Sequence, residues 1–419
     1  MTEHLVVLLA GEVAAEVRRT RAGALGLTYV DGKALSATPL SLSLPRGVAH
    51  VGATVERFVT GLLPENDEAL AAIATRFGAD RRDPLSMLEA IGLDCPGAVQ
   101  FCAENGVTDA LARTGGAAAV TDSHVEARLA ELDTNAAASW MMPGEHWSLP
   151  GTQQKFALRY EGGVWCETHG SEPTTHIVKP GIRRVRAQAL AEHVTMTAAR
   201  RLGVPTAITQ FVEFKSESAI VIERFDRVRR EGAVVRLHQE DLCQALDIGE
   251  KYEDRGGPSA ARIARLVSDS AARASDAEAN VRAFVDMVIF NTVVGAPDAH
   301  ARNFAVMLDG DSVRLAPMFD SATALGHATT GVRKAAMSIG GEFELDRLTW
   351  HNWELFAKDV GVDTKHVRDR VLHFASEAPA AFEKTLGEVD HPEAAELKQR
   401  LTAPLAALAA HMAASVKRG

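Results

Sequence analysis

The sequence predicts an α+β chain whose first part is rich in strands and whose second part is mostly helical. Three observations predict it. Short apolar runs bounded by turn residues dominate up to about residue 226, and helical periodicity dominates from about residue 238. Between them in kind, a two-strand hairpin with an acidic residue beyond each end interrupts the helical part from Asn291 to Asp320. A chain of 419 residues has room for two or three domains, and an apolar content of 46% supplies their cores.

The elements follow in order. Residues 5–9, 25–29 and 40–44 read as strands, and residues 66–93 as helix, with apolar positions at Leu70, Ile73, Phe77, Leu85, Leu88 and Ile91. The Ala-rich stretch 109–138 reads either as short helices or as a linker. A second strand-rich region covers 155–160, 164–167, 175–179, 208–214 and 219–223. A helix over 185–202 interrupts it, closed by Gly203 and the turn at Pro205. The apolar helix 281–294 ends at Gly295 and would deliver Asp298 to the floor of a cleft. The organisation expected is an α/β subdomain over 1–105, a strand-rich lobe over 140–226 and a helical lobe over 227–419. No internal repeat is present.

Charge and cysteine usage exclude several classes. A net charge of −10 argues against a dedicated nucleic-acid binder, which needs a basic footprint. The clusters Arg183, Arg184, Arg186 and Arg224, Arg227, Arg229, Arg230 read as solvated faces. Cys95, Cys102, Cys166 and Cys243 form no Cys-x-x-Cys pair, so they read as buried thiols of a reducing compartment. The start, MTEHLVVLLAGEVAAEV, reads as a strand and turn and not as a signal peptide, and no run reaches membrane-span length. A cytoplasmic protein is expected.

The stretch NTVVGAPDAHARNFAVMLDGDSVRLAPMFD carries the chemistry. Asp298 and Asn303 stand five positions apart, two strand-like runs meet at Asp309-Gly310, and Asp320 closes the segment. Folding the hairpin back brings its distant ends to one pocket. An Asp, an Asn and a late Asp in this order form the catalytic core of a kinase. Asp298 would orient the nucleophilic hydroxyl and accept its proton, while Asn303 and Asp320 would hold magnesium on the nucleotide phosphates. The bland alternative is an acidic surface loop beside an ordinary hairpin. His300 follows Asp298 where the common protein-kinase motif puts its His first, and Ser321 follows Asp320 where Phe-Gly is usual. The expected architecture is therefore a bilobal, atypical protein-kinase-like fold.

Other parts of such a site have candidates. Lys179 ends the run His176-Ile177-Val178-Lys179, and Glu192 on the following helix is a candidate ion-pair partner. The segment Ser148-Leu149-Pro150-Gly151-Thr152-Gln153-Gln154-Lys155 can present backbone N–H groups to phosphates, although it is not a Walker A loop. Glu223, Arg224 and Phe225 end a strand where a linker would meet adenine.

Together these pieces resemble the HipA family of serine/threonine kinases, the toxins of bacterial type II toxin–antitoxin pairs. The resemblance rests on PLSLSLP (39–45), LLPEN (62–66), GLDCPGAV (92–99), SLPGTQQK (148–155), TTHIVKP (174–180), ERFDR (223–227), LHQEDLCQ (237–244), KYEDRGGP (251–258), DAHARNF (298–304) and LAPMFD (315–320), in family order along nearly the whole chain. It implies transfer of the ATP γ-phosphate to a protein hydroxyl. Asp298 is then the base, Asn303 and Asp320 the Mg2+ ligands, and Lys179 the phosphate contact. Residues 150–155 embrace the nucleotide, Glu223 to Phe225 form the hinge, and His300 and Phe319 line the nucleotide pocket. Ser148 matches the family's autophosphorylated serine. Pro150 and Gln154 depart from relatives that place a small residue and an acid there. The resemblance further implies an aminoacyl-tRNA synthetase substrate, glutamyl most often, and a HipB-like helix-turn-helix antitoxin through which the toxin reaches DNA. Two other readings stay open: a small-molecule or lipid kinase, and a pseudokinase co-repressor.

Overall fold

The computed structural model describes residues 2–30, 38–135, 138, 140–182, 185–327 and 332–417. Arg183 and Arg184 of the first basic cluster lie outside them. Contacts group the chain into two units. The first comprises Met1–Pro180, Val212–Glu240 and Met307–Asp311, and the second Gly181–Phe211, Asp241–Val306 and Ser312–Gly419. The expected N-terminal subdomain, 1–105, falls within the first, whereas the expected strand-rich lobe, 140–226, is divided, because residues 181–211 group with the second.

The first unit begins with a five-stranded antiparallel sheet in the order His50–Val51, Leu25–Tyr29, Glu12–Arg19, His4–Leu9, Val99–Cys102. Ala10 and Gly11, with φ of 53° and 86°, make the primed turn that matches strand twist. Alternation explains why His4–Leu9 sits inside. Leu5, Val7 and Leu9 enter the main core, while Val6 and Leu8 face a second cluster with Cys102 and Ala110. Helices Asp67–Phe77 and Pro84–Ile91 replace the single expected helix, each started by a side-chain cap, from Asn66 and Asp83.

The expected strand at 40–44 does not form. Only a bridge between Ser41 and Leu44 is present. The reason is that distant side chains take the polar groups a strand would pair. His238 Nε2 meets Leu40 O at 3.0 Å, and the Glu240 carboxylate accepts from Ser41 Oγ at 2.5 Å and Leu42 N at 2.7 Å. Burial pulls His238 down to about 4, so the ring is neutral. With Ala98 N donating to Nδ1, the Nε2–H is the donor to Leu40.

A second antiparallel sheet sets Glu217–Glu223, His176–Lys179, Phe156–Glu161, Val164–Gly170 and Gly115–Val120 side by side. The Ala-rich stretch resolves into helix Val107–Ala112, strand Gly115–Val120 and helix Asp122–Thr134. A hairpin of Arg227–Arg230 and Ala233–Arg236 follows, which the sequence reading missed.

That hairpin corrects the reading of the second Arg cluster. Arg224 and Arg227 are buried at 4% and 6% exposure, and only Arg229 and Arg230 face solvent. Arg224, Arg227 and Arg236 converge on Asp94. Its Oδ1 accepts from Arg227 Nη2 at 2.9 Å and Arg236 Nε at 3.0 Å, and its Oδ2 from Thr174 N and Oγ1 and from Arg224 Nη1. Asp226 adds a second carboxylate, bonded by Arg224 and by Gly97 N. Three guanidiniums against two carboxylates leave an excess of positive charge. The carbonyl oxygens of Leu93, Cys95, Gly97 and Ser171 absorb it. Gly97 is needed for this: its φ is 73°, and a Cβ would lie 2.7 Å from the backbone N and O of Gln239. Burial alone would raise the Asp94 carboxyl, but the three guanidiniums and the Thr174 N–H outweigh it and hold it well below the usual range.

The second unit is helical around Ala274–Val293. Phe284 packs edge-on against Phe304 at 5.2 Å, and Phe290 against Phe374 of helix Thr364–Gly387 at 5.6 Å. From about residue 238 the chain was expected to be mostly helical, with the hairpin before Asp320 as the one named exception. The hairpin Lys334–Ile339 with Glu342–Glu344 corrects this, turning at Gly340 and Gly341 with φ of 55° and 86°. All four cysteines are free and buried, as expected. No helix among the described residues is long and apolar enough to cross a membrane.

Candidate active site

The second unit builds its polar centre from the end of Ala274–Val293. Gly295, with φ of 63°, stops the helix as Ala296 N reaches back to Asn291 O at 2.9 Å. The chain leaves as Pro297-Asp298, and the Asp298 side chain is 61% exposed. The hairpin after it has strands Ala305–Asp309 and Ser312–Leu315. Asn280, buried in the long helix, fixes the second strand: its amide donates to Val313 O at 2.9 Å and accepts from Leu315 N at 2.9 Å. Ala316 N closes the base on Ala305 O.

Asp320 is located from two sides. Met318 N donates to Pro205 O and Met318 O accepts from Ala207 N, so the turn after helix Gln188–Arg201 holds the approach. Ser321 Oγ donates to Asn291 Oδ1 at 2.6 Å, which ties the exit to the long helix. Asp320 itself has φ of 54°, a left-handed conformation that costs a non-glycine residue about 1–3 kcal/mol and concentrates at functional sites. Asn303 connects the two acids. Its Nδ2 donates to Asp298 O at 2.7 Å and to Asp320 O at 3.4 Å. Both amide protons are thereby directed at backbone, which leaves Oδ1 as the acceptor end. No group of three His, Cys, Asp or Glu side chains among the described residues forms a metal cage. One carboxylate and one amide oxygen instead match the sparse protein donor set Mg2+ uses when phosphates supply the rest.

His300 is 3% exposed, with Nε2 3.6 Å from Asp298 Oδ1. Burial lowers its pKa, and Lys251 adds to this, against the pull of Asp298 and Asp320. Its ring stands edge-on to Tyr252 at 4.8 Å, and the Tyr252 hydroxyl donates to Asp298 Oδ1. Sequence reasoning did not single out Tyr252. Its motif, KYEDRGGP, was the available signal. Phe319 is half-buried.

The first unit carries the other candidates. Gly151, with φ of 103°, turns the 148–155 segment, and Lys155 Nζ donates back to Pro150 O at 2.9 Å while lying 4.9 Å from the Trp140 ring. The segment 62–66 braces the loop. Glu65 N donates to Gly151 O and Asn66 Nδ2 to Thr152 O at 3.1 Å. Gln154 Nε2 reaches Asn135 O at 3.5 Å, and Gln153 lies between these contacts in sequence. Ser148 is fully buried, donating from Oγ to Leu62 O at 2.6 Å and from N to Asp94 O. Lys179 ends its strand opposite Ile220 and is 3% exposed. Glu223 is exposed opposite His176, and Phe225 is half-buried. Arg224 turns its whole guanidinium into the Asp94 cluster, so only its backbone remains for a ligand. In the second unit Glu192 is 1% exposed and accepts from Gln188 at 3.5 Å.

Comparison with known proteins identifies a family for the chain. The HipA-like C-terminal domain family matches residues 147–382, and the HipA N-terminal domain family matches residues 5–102. The candidate kinase Y4mE of Sinorhizobium fredii is 29% identical over 90% of both chains. The serine/threonine-protein kinase toxin HipA of Shewanella oneidensis is 26% identical over 91% of this chain and 88% of its own. A solved Shewanella oneidensis structure, of HipA with HipB and operator DNA, superposes with a TM-score of 0.85 at 23% identity, covering 99% of this chain and 98% of that one. The α+β fold is thus that of HipA, and this chain is a member of the HipA family of kinases.

Proposed function

We propose that this chain is a serine/threonine protein kinase that arrests growth, transferring the γ-phosphoryl group of ATP to a protein hydroxyl. The observation that carries the reading is the Asn303 side chain bonded to the backbone of both Asp298 and Asp320, which gathers the three residues at one place on the second unit. The hydroxyl oxygen of the substrate bonds to the γ-phosphorus as the bond to the β–γ bridging oxygen breaks and ADP leaves. Asp298 orients that hydroxyl and takes its proton. Asn303 and Asp320 would hold Mg2+, which would neutralise charge on the phosphates. Lys179 contributes a further positive charge to them. His300, neutral and buried, lines the nucleotide site, and its Nδ1 has no hydrogen-bond partner among the described residues. Phe319, the backbone of Glu223 to Phe225 and the 150–155 loop complete nucleotide contact. Glu192 is a candidate ion-pair partner for Lys179.

Asp320→Ala tests the metal side of this reading. Calorimetry should find Mg-ATP binding weakened at least tenfold and magnesium-free ATP binding changed much less, because the lost carboxylate is a hard oxygen donor. Equal losses under both conditions would remove Asp320 from the metal site.

Regulation is proposed at Ser148. Its buried hydroxyl can receive phosphate only after the loop leaves Leu62. A phosphate there, with nearly two negative charges, cannot return to that site and would keep the loop open. Peptide mass spectrometry after incubation with Mg-ATP should find phospho-Ser148, and Ser148→Asp should lose ATP affinity. An unmodified Ser148 in active enzyme, with Ser148→Asp binding ATP normally, would sink the idea. The family resemblance and the Shewanella complex support a HipB-like antitoxin as partner and DNA contact through it. A cytoplasmic site of action is proposed from the sequence reading alone. The substrate proposed is an aminoacyl-tRNA synthetase, glutamyl first. Growth of cells expressing the chain alone, with Asp298→Asn as control, tests toxicity.

A further inference from the structure

We infer that Tyr252 is a positioning residue for phosphoryl transfer: its hydroxyl holds one oxygen of the Asp298 carboxylate, leaving the other for the proton of the substrate hydroxyl. The inference rests on Asp298 being the base.

An exposed carboxylate on a loop samples several rotamers, and only some can face a reacting hydroxyl. Asp298 is such a residue, and the Tyr252 hydroxyl donates to its Oδ1. The phenol is itself held by its neighbours, although it is only half-buried. Its ring stands at 90° to the His300 ring, with the Arg255 guanidinium 5.0 Å and Lys251 Nζ 5.7 Å from its centre. Its backbone is equally held. Glu250 accepts from Lys251 N and Tyr252 N at 2.8 and 3.0 Å, and Tyr252 O accepts from Arg255 N and Gly257 N. Gly257 permits this turn, since a Cβ there would lie 2.7 Å from Tyr252 O. Lys251 O accepts from Ala301 N, which joins the turn to the catalytic loop itself.

The next residue extends the chain of contacts. The Glu253 carboxylate accepts from Ser338 N at 2.6 Å and Ser338 Oγ at 2.9 Å. Ser338 lies on the hairpin strand Lys334–Ile339, downstream of Asp320. The position of Tyr252 is therefore set jointly by the Asp298 loop and by that hairpin. A phenol with one polar atom, oriented this tightly and spending it on a solvent-exposed carboxylate, does little for packing and much for carboxylate direction.

Tyr252→Phe tests this in the full chain, because the ring and its stacking remain. Transfer to protein should fall about 3- to 30-fold in kcat, while the KM for ATP and the melting temperature stay near wild type. A double-mutant cycle separates positioning from structure. In an Asp298→Asn background, Tyr252→Phe should change the residual rate less than twofold, since the group it orients is already disabled. A wild-type kcat for Tyr252→Phe, or the same fold loss in both backgrounds, would overturn the inference while leaving Asp298 as base. Near wild-type activity of Asp298→Asn alone would overturn the proposed mechanism, and the role of Tyr252 with it.

Discussion

Asp298→Asn is expected to lose phosphoryl transfer by about two to four orders of magnitude while folding normally. The amide keeps the shape of the carboxylate but cannot accept the hydroxyl proton. The fold should tolerate the change, because the Asp298 side chain is largely in solvent and its backbone, not its carboxylate, anchors Asn303. The Tyr252 hydroxyl retains an oxygen acceptor in the variant. The measurement is ATP-dependent radiolabel transfer to a bacterial lysate, beside a thermal melt. Transfer at a near wild-type rate would show that another group takes the proton. Transfer lost together with the melt would show a structural role instead.

Asp94→Ala is expected to be the most damaging substitution for stability in the first unit. It leaves Arg224, Arg227 and Arg236 buried with one carboxylate among them, and removing one partner from a buried ion cluster costs about 3–5 kcal/mol. That is a large share of the roughly 5–15 kcal/mol by which domains are stable. Arg236→Met should cost less, because it removes the one excess positive charge. Burial and Arg227 already draw Arg236 down to about 10 against the pull of Asp94. Urea midpoints of both variants test the ordering, and an Asp94→Ala protein as stable as Arg236→Met would refute it. The pH dependence has a definite sign. The Asp94 carboxyl is depressed in the folded state, so its contribution is complete above the ordinary value of 3.8 and disappears as pH falls through the depressed folded value. The stability gap to Asp94→Asn should therefore be flat above about 3.8 and close progressively as pH falls from there to the depressed folded value.

Local pattern made part of the molecule legible. Strand His4–Leu9 and helix Ala274–Val293 follow from runs whose period survives in any context. The hairpin after Asp298 was readable because Asp309-Gly310 is a turn signal between two apolar runs. What failed depended on partners far away in sequence. Residues 40–44 look like a strand until His238 and Glu240 claim their polar groups. Arg224 and Arg227 look like solvated charge because Asp94 stands 130 and 133 positions away. Tyr252 is an ordinary aromatic in sequence, and only folding sets its hydroxyl against a residue 46 positions on. The hairpin Lys334–Ile339 with Glu342–Glu344 was missed because its strands are short and Ala-containing, and its Gly-Gly turn is the one clear signal.

The Asp94 cluster also dictates when this protein can finish folding during synthesis. Asp94 reaches the ribosome exit long before Arg236, from which it is separated by 142 residues. At bacterial elongation speeds of about 5–20 residues per second, that interval is on the order of ten seconds. For most of it the Asp94 carboxylate has no guanidinium partner, since Arg224 and Arg227 follow it by 130 and 133 residues. Long-range contacts of this kind are slow to close. A chain released before residue 236 could not complete the first unit, to which the 148–155 segment held at Ser148 by Asp94 and Leu62 belongs.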